Sequence, residues 1–302
     1  MSLVPADFNL TVGSTTSSAG RPQNEDAILV KPVPALAAGG GTGFVLAVAD
    51  GMGGHARGEV ASQLAITLLE DLFNHDMPED MALALKQAYR RANEAIYKQG
   101  ATDAGEARMG TTLVSAVVRG KYATIANVGD SRAYLIRAKQ LTQITQDHSL
   151  VAEQVAKGEL NEEQAKRSPQ RNIVTQALGL SETLDRRMPS IYELTLLPED
   201  RLLLCSDGFF DVMQPDDYVS TIMAQNPQES ALSLATMATD RGTTDNVSAI
   251  VLEVSPSLAT VQRERIGTEI AANAPRMSPL VIPIVTILIL ILAIALGVYF
   301  YL

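Results

Sequence analysis

The sequence predicts an α+β domain followed by a single apolar helix at the C-terminal end. Three predicted strands, at 112–119, 122–127 and 132–137, follow one another with only a few residues between them. Links that short join antiparallel strands, because parallel strands need long crossovers. Two amphipathic helices are predicted before them, at 59–73 and 80–98. Helices and antiparallel strands in separate runs favour α+β over a doubly wound α/β sheet.

The other elements are predicted in chain order from local composition. The patch 35–43, rich in alanine and glycine, indicates a flexible connection between the first two strands. Beyond Leu150 a polar, partly helical stretch continues to about Met188. The remaining predicted strands are 27–31, 44–49, 191–195, 201–205 and 248–254.

The C-terminal residues predict a membrane anchor. Residues 280–302 contain no charge, and a helix of that length would span about 34 Å, against a hydrocarbon core of ~30 Å. Residues 255–279 are polar, carry arginines and form a predicted juxtamembrane linker. The N-terminus lacks a basic, apolar signal peptide. We therefore expect a domain at 1–254 on the cytoplasmic side of the cell membrane, with 280–302 as a single-pass anchor.

Charge and cysteine content exclude several classes of function. The 302 residues carry a formal net charge of −10, with a pI near 4.8, which argues against nucleic-acid binding because phosphates need clustered lysine and arginine. The single cysteine, Cys205, excludes an intramolecular disulfide framework and a cysteine-rich zinc site.

Five aspartates stand at the ends of predicted strands. Each alone has an ordinary explanation, because aspartate is common in turns. Together they predict a shared carboxylate site at one edge of the sheets, where a cation must offset their repulsion. Oxygen ligands without cysteine or paired histidine favour Mg²⁺ or Mn²⁺ over zinc. The five are Asp26, Asp50, Asp130, Asp207 and Asp245.

Seven segments carry a resemblance to a known family. In order they are RPQNEDA, VADGMGGHARGEVAS, GTTLVSAVV, IANVGDSRAYLIR, LTQITQDHS, LLCSDGFFDVM and TTDNVSAIVLEV. With them, residues 8–254 resemble a bacterial metal-dependent protein phosphatase of the PPM, or protein phosphatase 2C, type. The resemblance implies two antiparallel sheets packed as a sandwich between helices, in four αββα layers. It also implies hydrolysis of phosphoserine and phosphothreonine in proteins.

The resemblance assigns metal ligands position by position. Asp50 matches the carboxylate that bridges two metals, and the Gly51 carbonyl matches a further ligand. Asp207 and Asp245 match carboxylates on the far side of the pair. Glu25 and Asp26 match acidic residues that bind directly or through water. Two Mn²⁺ or Mg²⁺ ions so held would lower the pKa of a bridging water, and the resulting hydroxide would attack phosphorus.

The resemblance also assigns a phosphate clamp and a third metal. Arg21 matches the arginine that binds the substrate phosphate, where a planar bidentate donor suits better than lysine. Asp130, with Asp207 and Asp211, matches a more labile third-metal site. The implied partners are phosphorylated proteins and a cognate serine/threonine kinase.

One position departs from the family pattern, because Met52 stands where many eukaryotic relatives have a proposed acid histidine. His55 or a metal-bound water could protonate the leaving group instead, and His148 is expected to make a structural loop hydrogen bond.

The stretch Ser149–Asp185 matches the family's flap, and its basic residues could meet phosphopeptides or only solvent. A membrane-tethered pseudophosphatase that binds phosphoproteins or regulates a kinase without turnover remains the alternative function.

Overall fold

The computed structural model describes residues 8–34, 42–53, 57–74, 77–101 and 108–256. Nearly all of the predicted linker 255–279, the predicted membrane helix 280–302, and His55 and His75 lie outside these ranges. Within them no helix is both long and apolar enough to cross a bilayer. The compact unit that contains the described residues ends at Ser257.

The described residues form eleven strands and six α-helices. The strands are β1 (Phe8–Ser17), β2 (Asp26–Pro34), β3 (Thr42–Met52), β4 (Gly110–Thr111), β5 (Leu113–Arg119), β6 (Tyr122–Val128), β7 (Arg132–Arg137), β8 (Gln140–Gln143), β9 (Ser190–Thr195), β10 (Arg201–Cys205) and β11 (Val247–Pro256). The helices are α1 (Arg57–Asp71), α2 (Met81–Ala101), α3 (Leu150–Ala156), α4 (Glu162–Arg167), α5 (Pro215–Ala224) and α6 (Pro227–Asp240).

The strands form two antiparallel sheets. One has the order β1-β11-β10-β7-β8 and the other β2-β3-β5-β6-β9, with β4 paired to β3. Every pair is antiparallel, which confirms the predicted sandwich class.

Three apolar clusters fill the spaces between four layers. Leu46 of β3 and Leu204 of β10 belong to the cluster that joins the two sheets. Ala47 of β3 lies in a second cluster with α1 and α2, and Leu203 of β10 lies in a third with α5 and α6. Because side chains alternate across a strand, β3 and β10 must be apolar on both faces, which explains their unbroken apolar runs.

The predicted run of three neighbouring strands is wrong at its third member. β5 and β6 pair as expected, but β7 crosses to the other sheet, where it pairs with β8 and β10. The crossing begins at Gly129, whose φ of +108° suits glycine. A Cβ there would also lie 2.5 Å from Cβ of Thr112. This switch between sheets places Asp130 at the edge of the sandwich.

Candidate active site

The predicted acidic residues meet at one edge of the sandwich, with contributions from both sheets. In the sheet that contains β2 and β3, Asp26 begins β2 and lies opposite Asp50 of β3 in the strand register. In the other, Asp207 follows β10 and Asp245 precedes β11, its antiparallel neighbour. Two side-chain hydrogen bonds help to fix the Asp50 backbone on β3: its N–H donates to Thr112 Oγ1 and its carbonyl accepts from Thr111 Oγ1.

These carboxyl groups raise one another's pKa. Burial raises the pKa of Asp26 to about 7, against the effect of two serine hydrogen bonds, and the charges of Asp207 and Asp245 add to the rise. Burial, and then the charges of Asp26, Asp207, Asp130 and Asp245, hold the pKa of Asp50 well above its usual range. Burial and Asp245 raise the pKa of Asp207 to about 6. The cluster therefore favours binding of cations or protons.

Asp130 belongs to the same cluster. It is 6% exposed, and burial, followed by the charges of Asp207 and Asp147, raises its pKa to about 7, while Arg132 opposes the rise. The sequence grouped Asp130 with Asp207, and the structure brings these two side chains within electrostatic reach.

Glu25 and Gly51 lie where the start of α1 approaches β3. The Glu25 carbonyl accepts hydrogen bonds from the Gly51 N–H and the Ser62 hydroxyl. A Cβ on Gly51 would overlap the carbonyl oxygen of Gly58 in α1. Burial raises the pKa of Glu25, and Arg21 and the Gly58 N–H oppose that rise. The acidic pair of the NED segment is thus divided: Glu25 points toward α1 and Asp26 toward the other sheet.

Arg21 is bound to one of the predicted metal ligands. Its guanidinium makes two contacts with the Asp245 carboxylate, at 2.7 and 2.8 Å, and its Nε donates to the Thr244 carbonyl. The side chain is 40% exposed, so a phosphoryl group in solvent can reach it. The sequence predicted both residues in the site but not this pairing.

Asp211 lies at the rim rather than among the buried carboxylates. Its side chain is 58% exposed and accepts two hydrogen bonds from Arg171, at 2.8 and 3.1 Å. Arg171 belongs to the predicted flap, so this ion pair links the flap to the segment after β10. The third-metal role of Asp211 stays a prediction, and the structure gives its carboxylate a different partner.

The histidine geometry agrees with the structural role predicted for His148. Its Nδ1 accepts a hydrogen bond from the Gly129 N–H and its Nε2 lies 3.1 Å from Ser190 Oγ. Both ring nitrogens are therefore engaged.

Met52 ends β3 beside the site. Cys205 is fully buried, and burial raises its thiol pKa to about 12, so it is no nucleophile.

Three polar residues that the sequence analysis did not single out hold the site together. Ser206 and Ser248 donate hydrogen bonds from the ends of β10 and β11 to Asp26. Asn246 accepts from the Glu25 N–H and donates to the carbonyls of Ser18 and Gln23, which fixes the loop carrying Arg21. Ser206 and Asn246 are adjacent in sequence to Asp207 and Asp245, and Ser248 is three residues after Asp245. Such proximity alone does not distinguish them from other polar residues at strand ends.

The donor set fits hard divalent cations. Asp26 Oδ1 and Asp207 Oδ1 are buried and have no hydrogen-bond partner among the described groups, which is costly unless a cation or its water binds them. The cluster offers carboxylates and a backbone carbonyl, the ligands preferred by Mg²⁺ and Mn²⁺. Among the described residues no three acidic, histidine or cysteine side chains already converge as a closed ligand set.

Comparison with known proteins identifies the family. The family model described as Protein phosphatase 2C matches residues 13–238, which contain every predicted site residue except Asp245. The chain belongs to the protein phosphatase 2C family. That membership agrees with the antiparallel sandwich and with the carboxylate edge.

Named relatives in this family are bacterial phosphatases. Serine/threonine protein phosphatase PstP of Mycobacterium tuberculosis is 38% identical over 210 residues, 70% of this chain and 40% of that protein. Serine/threonine phosphatase stp of Listeria welshimeri is 35% identical over 215 residues, 69% of this chain and 84% of that protein. The catalytic domain of PstP, solved with two manganese ions, has a TM-score of 0.70 at 33% identity, covering 82% of this chain and 99% of that one.

Proposed function

We propose that this protein phosphatase 2C family member hydrolyses phosphoserine and phosphothreonine in proteins, with Mn²⁺ or Mg²⁺ bound at the carboxylate edge. The observation that carries the proposal is the cluster of Asp26, Asp50, Asp207 and Asp245, in which one oxygen of Asp26 and one of Asp207 are buried without a hydrogen-bond partner among the described groups. The family membership and the two manganese ions in the structure of PstP support it.

Each residue has a role that follows from its place. Asp50 lies among the other carboxylates and is the proposed shared ligand, with the Gly51 carbonyl beside it. Arg21 is exposed next to Asp245 and is placed to bind phosphoryl oxygens in bidentate fashion. Two bound cations would activate a water for attack on phosphorus and stabilise the developing charge. No protein nucleophile is required.

The test is phosphate release from a phosphothreonine peptide by the purified protein, with Mn²⁺ and with a chelator. We expect turnover only with the metal. Binding of the phosphopeptide without turnover at any Mn²⁺ concentration would contradict the proposal and favour a pseudophosphatase.

The pH dependence of stability provides a second test. The raised pKa values of Asp26, Asp130 and Asp207 mean that the metal-free native state binds more protons than the unfolded state between about pH 4 and pH 7. The free energy of unfolding contributed by these groups is therefore highest below the unfolded pKa and falls as pH rises through that window. We expect Mn²⁺ to replace the lost protons at pH 8.

Differential scanning fluorimetry at pH 8 and pH 5.5 measures this effect. Mn²⁺ at 100 times its Kd should raise Tm by about 5–11 °C at pH 8 and by much less at pH 5.5, where protons compete for the same oxygens. An equal Mn²⁺-induced shift at both pH values would show that the cation binds elsewhere.

We further propose that residues 280–302 anchor the chain in the cell membrane and keep the domain on the cytoplasmic face, where it opposes a serine/threonine kinase. The support is the absence of charge from 280–302 and the arginines that precede it. A chain ending at Arg276 should be soluble and keep full metal-dependent activity, while the whole chain fractionates with membranes. Extraction of the whole chain by high salt would contradict the anchor.

A further inference from the structure

Asp26 is held from the opposite sheet by two buried serines. Ser206 Oγ lies 2.8 Å and Ser248 Oγ 2.7 Å from the same oxygen, Asp26 Oδ2. Both serines are fully buried, and Asp26 is 8% exposed. Its other oxygen, Oδ1, is buried and has no partner among the described groups. The two oxygens of one carboxylate are therefore in different environments.

The two serines are also hydrogen-bonded to each other. The Ser206 N–H donates to the Ser248 carbonyl at 3.1 Å, and the Ser248 N–H donates to Ser206 Oγ at 3.0 Å. Ser206 Oγ thus accepts from a backbone N–H, and its single hydrogen is left for Asp26. The hydroxyl cannot rotate away without losing one of these bonds.

A ring of hydrogen bonds connects the Ser248 hydroxyl through Thr16 and Asn24 back to Asp26. Asn24 Nδ2 donates to Thr16 Oγ1 at 2.8 Å, and Thr16 Oγ1 lies 2.8 Å from Ser248 Oγ. Ser248 has one hydrogen and two acceptors within reach, Asp26 Oδ2 and Thr16 Oγ1, and the charged carboxylate is the stronger acceptor. The Asp26 N–H donates to Asn24 Oδ1 at 3.2 Å and closes the ring.

We propose that Ser206 and Ser248 are positioning residues of the metal centre: they occupy Oδ2 of Asp26 and leave Oδ1 as the atom that binds a divalent cation or its water. This inference rests on the proposed function, because it assumes that the carboxylate cluster binds the metal. Hydrogen bonds to a ligand carboxylate orient it, and their loss typically weakens metal binding about 10- to 100-fold. The serines also connect the two halves of the centre, since they belong to one sheet and Asp26 to the other.

The experiment measures Mn²⁺ affinity by isothermal titration calorimetry on the metal-free whole chain, without substrate. Ser206→Ala and Ser248→Ala should each weaken Mn²⁺ binding about 10-fold. The control is Ser115→Ala, which also removes a buried hydroxyl, one bonded to Tyr89 away from the site. It should lower Tm without changing Mn²⁺ affinity.

A double-mutant cycle separates positioning from general loss of packing. In an Asp26→Ala background, Ser248→Ala should cause no further loss of Mn²⁺ affinity, because the carboxylate that it positions is gone. A loss of the same size in both backgrounds would overturn the proposal, as would unchanged Mn²⁺ affinity in the folded serine variants. If the unmodified protein binds two Mn²⁺ and releases phosphate while the serine variants match it, only this inference fails; if it binds no Mn²⁺, the proposed function fails too.

Discussion

Asp50→Asn should abolish phosphate release, with a loss of about 10³-fold or more in kcat/KM. The amide keeps the volume of the side chain but removes the charge that lies among Asp26, Asp130, Asp207 and Asp245. A neutral amide oxygen is a poor shared ligand for two cations. Steady-state hydrolysis of a phosphothreonine peptide in Mn²⁺ gives the measurement.

The same substitution, although it removes activity, is expected to increase the stability of the metal-free protein. The pKa of Asp50 is raised well above its usual range, so its ionised form destabilises the metal-free fold at pH 8. Asp50→Asn should therefore raise Tm without metal and remove the Tm increase that Mn²⁺ gives. Asp240→Asn, an exposed residue at the end of α6, is the matched control. An inactive variant with lowered metal-free Tm would instead indicate a misfolded site.

Gly51→Ala should cost about 3 kcal/mol in the free energy of unfolding, which lowers Tm by about 6–12 °C. A Cβ at this position would overlap the carbonyl of Gly58 and lie 2.6 Å from the Glu25 carbonyl. Both obstacles are backbone atoms, so β3 and the start of α1 must separate. The Gly51 carbonyl would then leave its place beside Asp50, and Mn²⁺ binding should be lost with the stability.

The control for Gly51→Ala is Gly100→Ala in α2. There a Cβ would make only ordinary van der Waals contacts, with Met109 Cγ at 3.4 Å and the Met109 backbone nitrogen at 3.7 Å, and alanine favours a helix by up to ~1 kcal/mol over glycine. Chemical denaturation of both variants compares them directly. A Gly51→Ala protein as stable as the unmodified chain would show that α1 does not pack against β3 as closely as described.

The strands buried on both faces could be predicted well from the sequence. The unbroken apolar runs of β3 and β10 leave few alternatives, and β7 and β10 begin and end at the predicted residues. β1 was missed because it is rich in serine and threonine and is buried only in part. The β6–β7 crossing was also missed, since a three-residue link does not show whether the chain turns back or changes sheets.

The site was predictable as a list of carboxylates but not as an arrangement. Aspartates at strand ends, together with the family resemblance, pointed to Asp26, Asp50, Asp130, Asp207 and Asp245. Side-chain partners 180 or more positions apart in the chain cannot be read from local sequence, which is why the Arg21–Asp245 ion pair and the hydroxyls on Asp26 were not foreseen. The ion pair between Asp211 and Arg171 of the flap joins residues 40 positions apart and was not predicted for the same reason.

The pairing of β1 with β11 has a consequence for synthesis of the chain. This ladder joins Phe8 to Pro256 and Ser17 to Val247, so the first strand described has no edge partner until the last one has been translated. Arg21 follows β1 and Asp245 precedes β11, and therefore the two meet only when this ladder closes. Closing so long a loop costs conformational entropy before its contacts contribute any stability. A nascent chain would thus remain without the Arg21–Asp245 ion pair until residue 256 has left the ribosome.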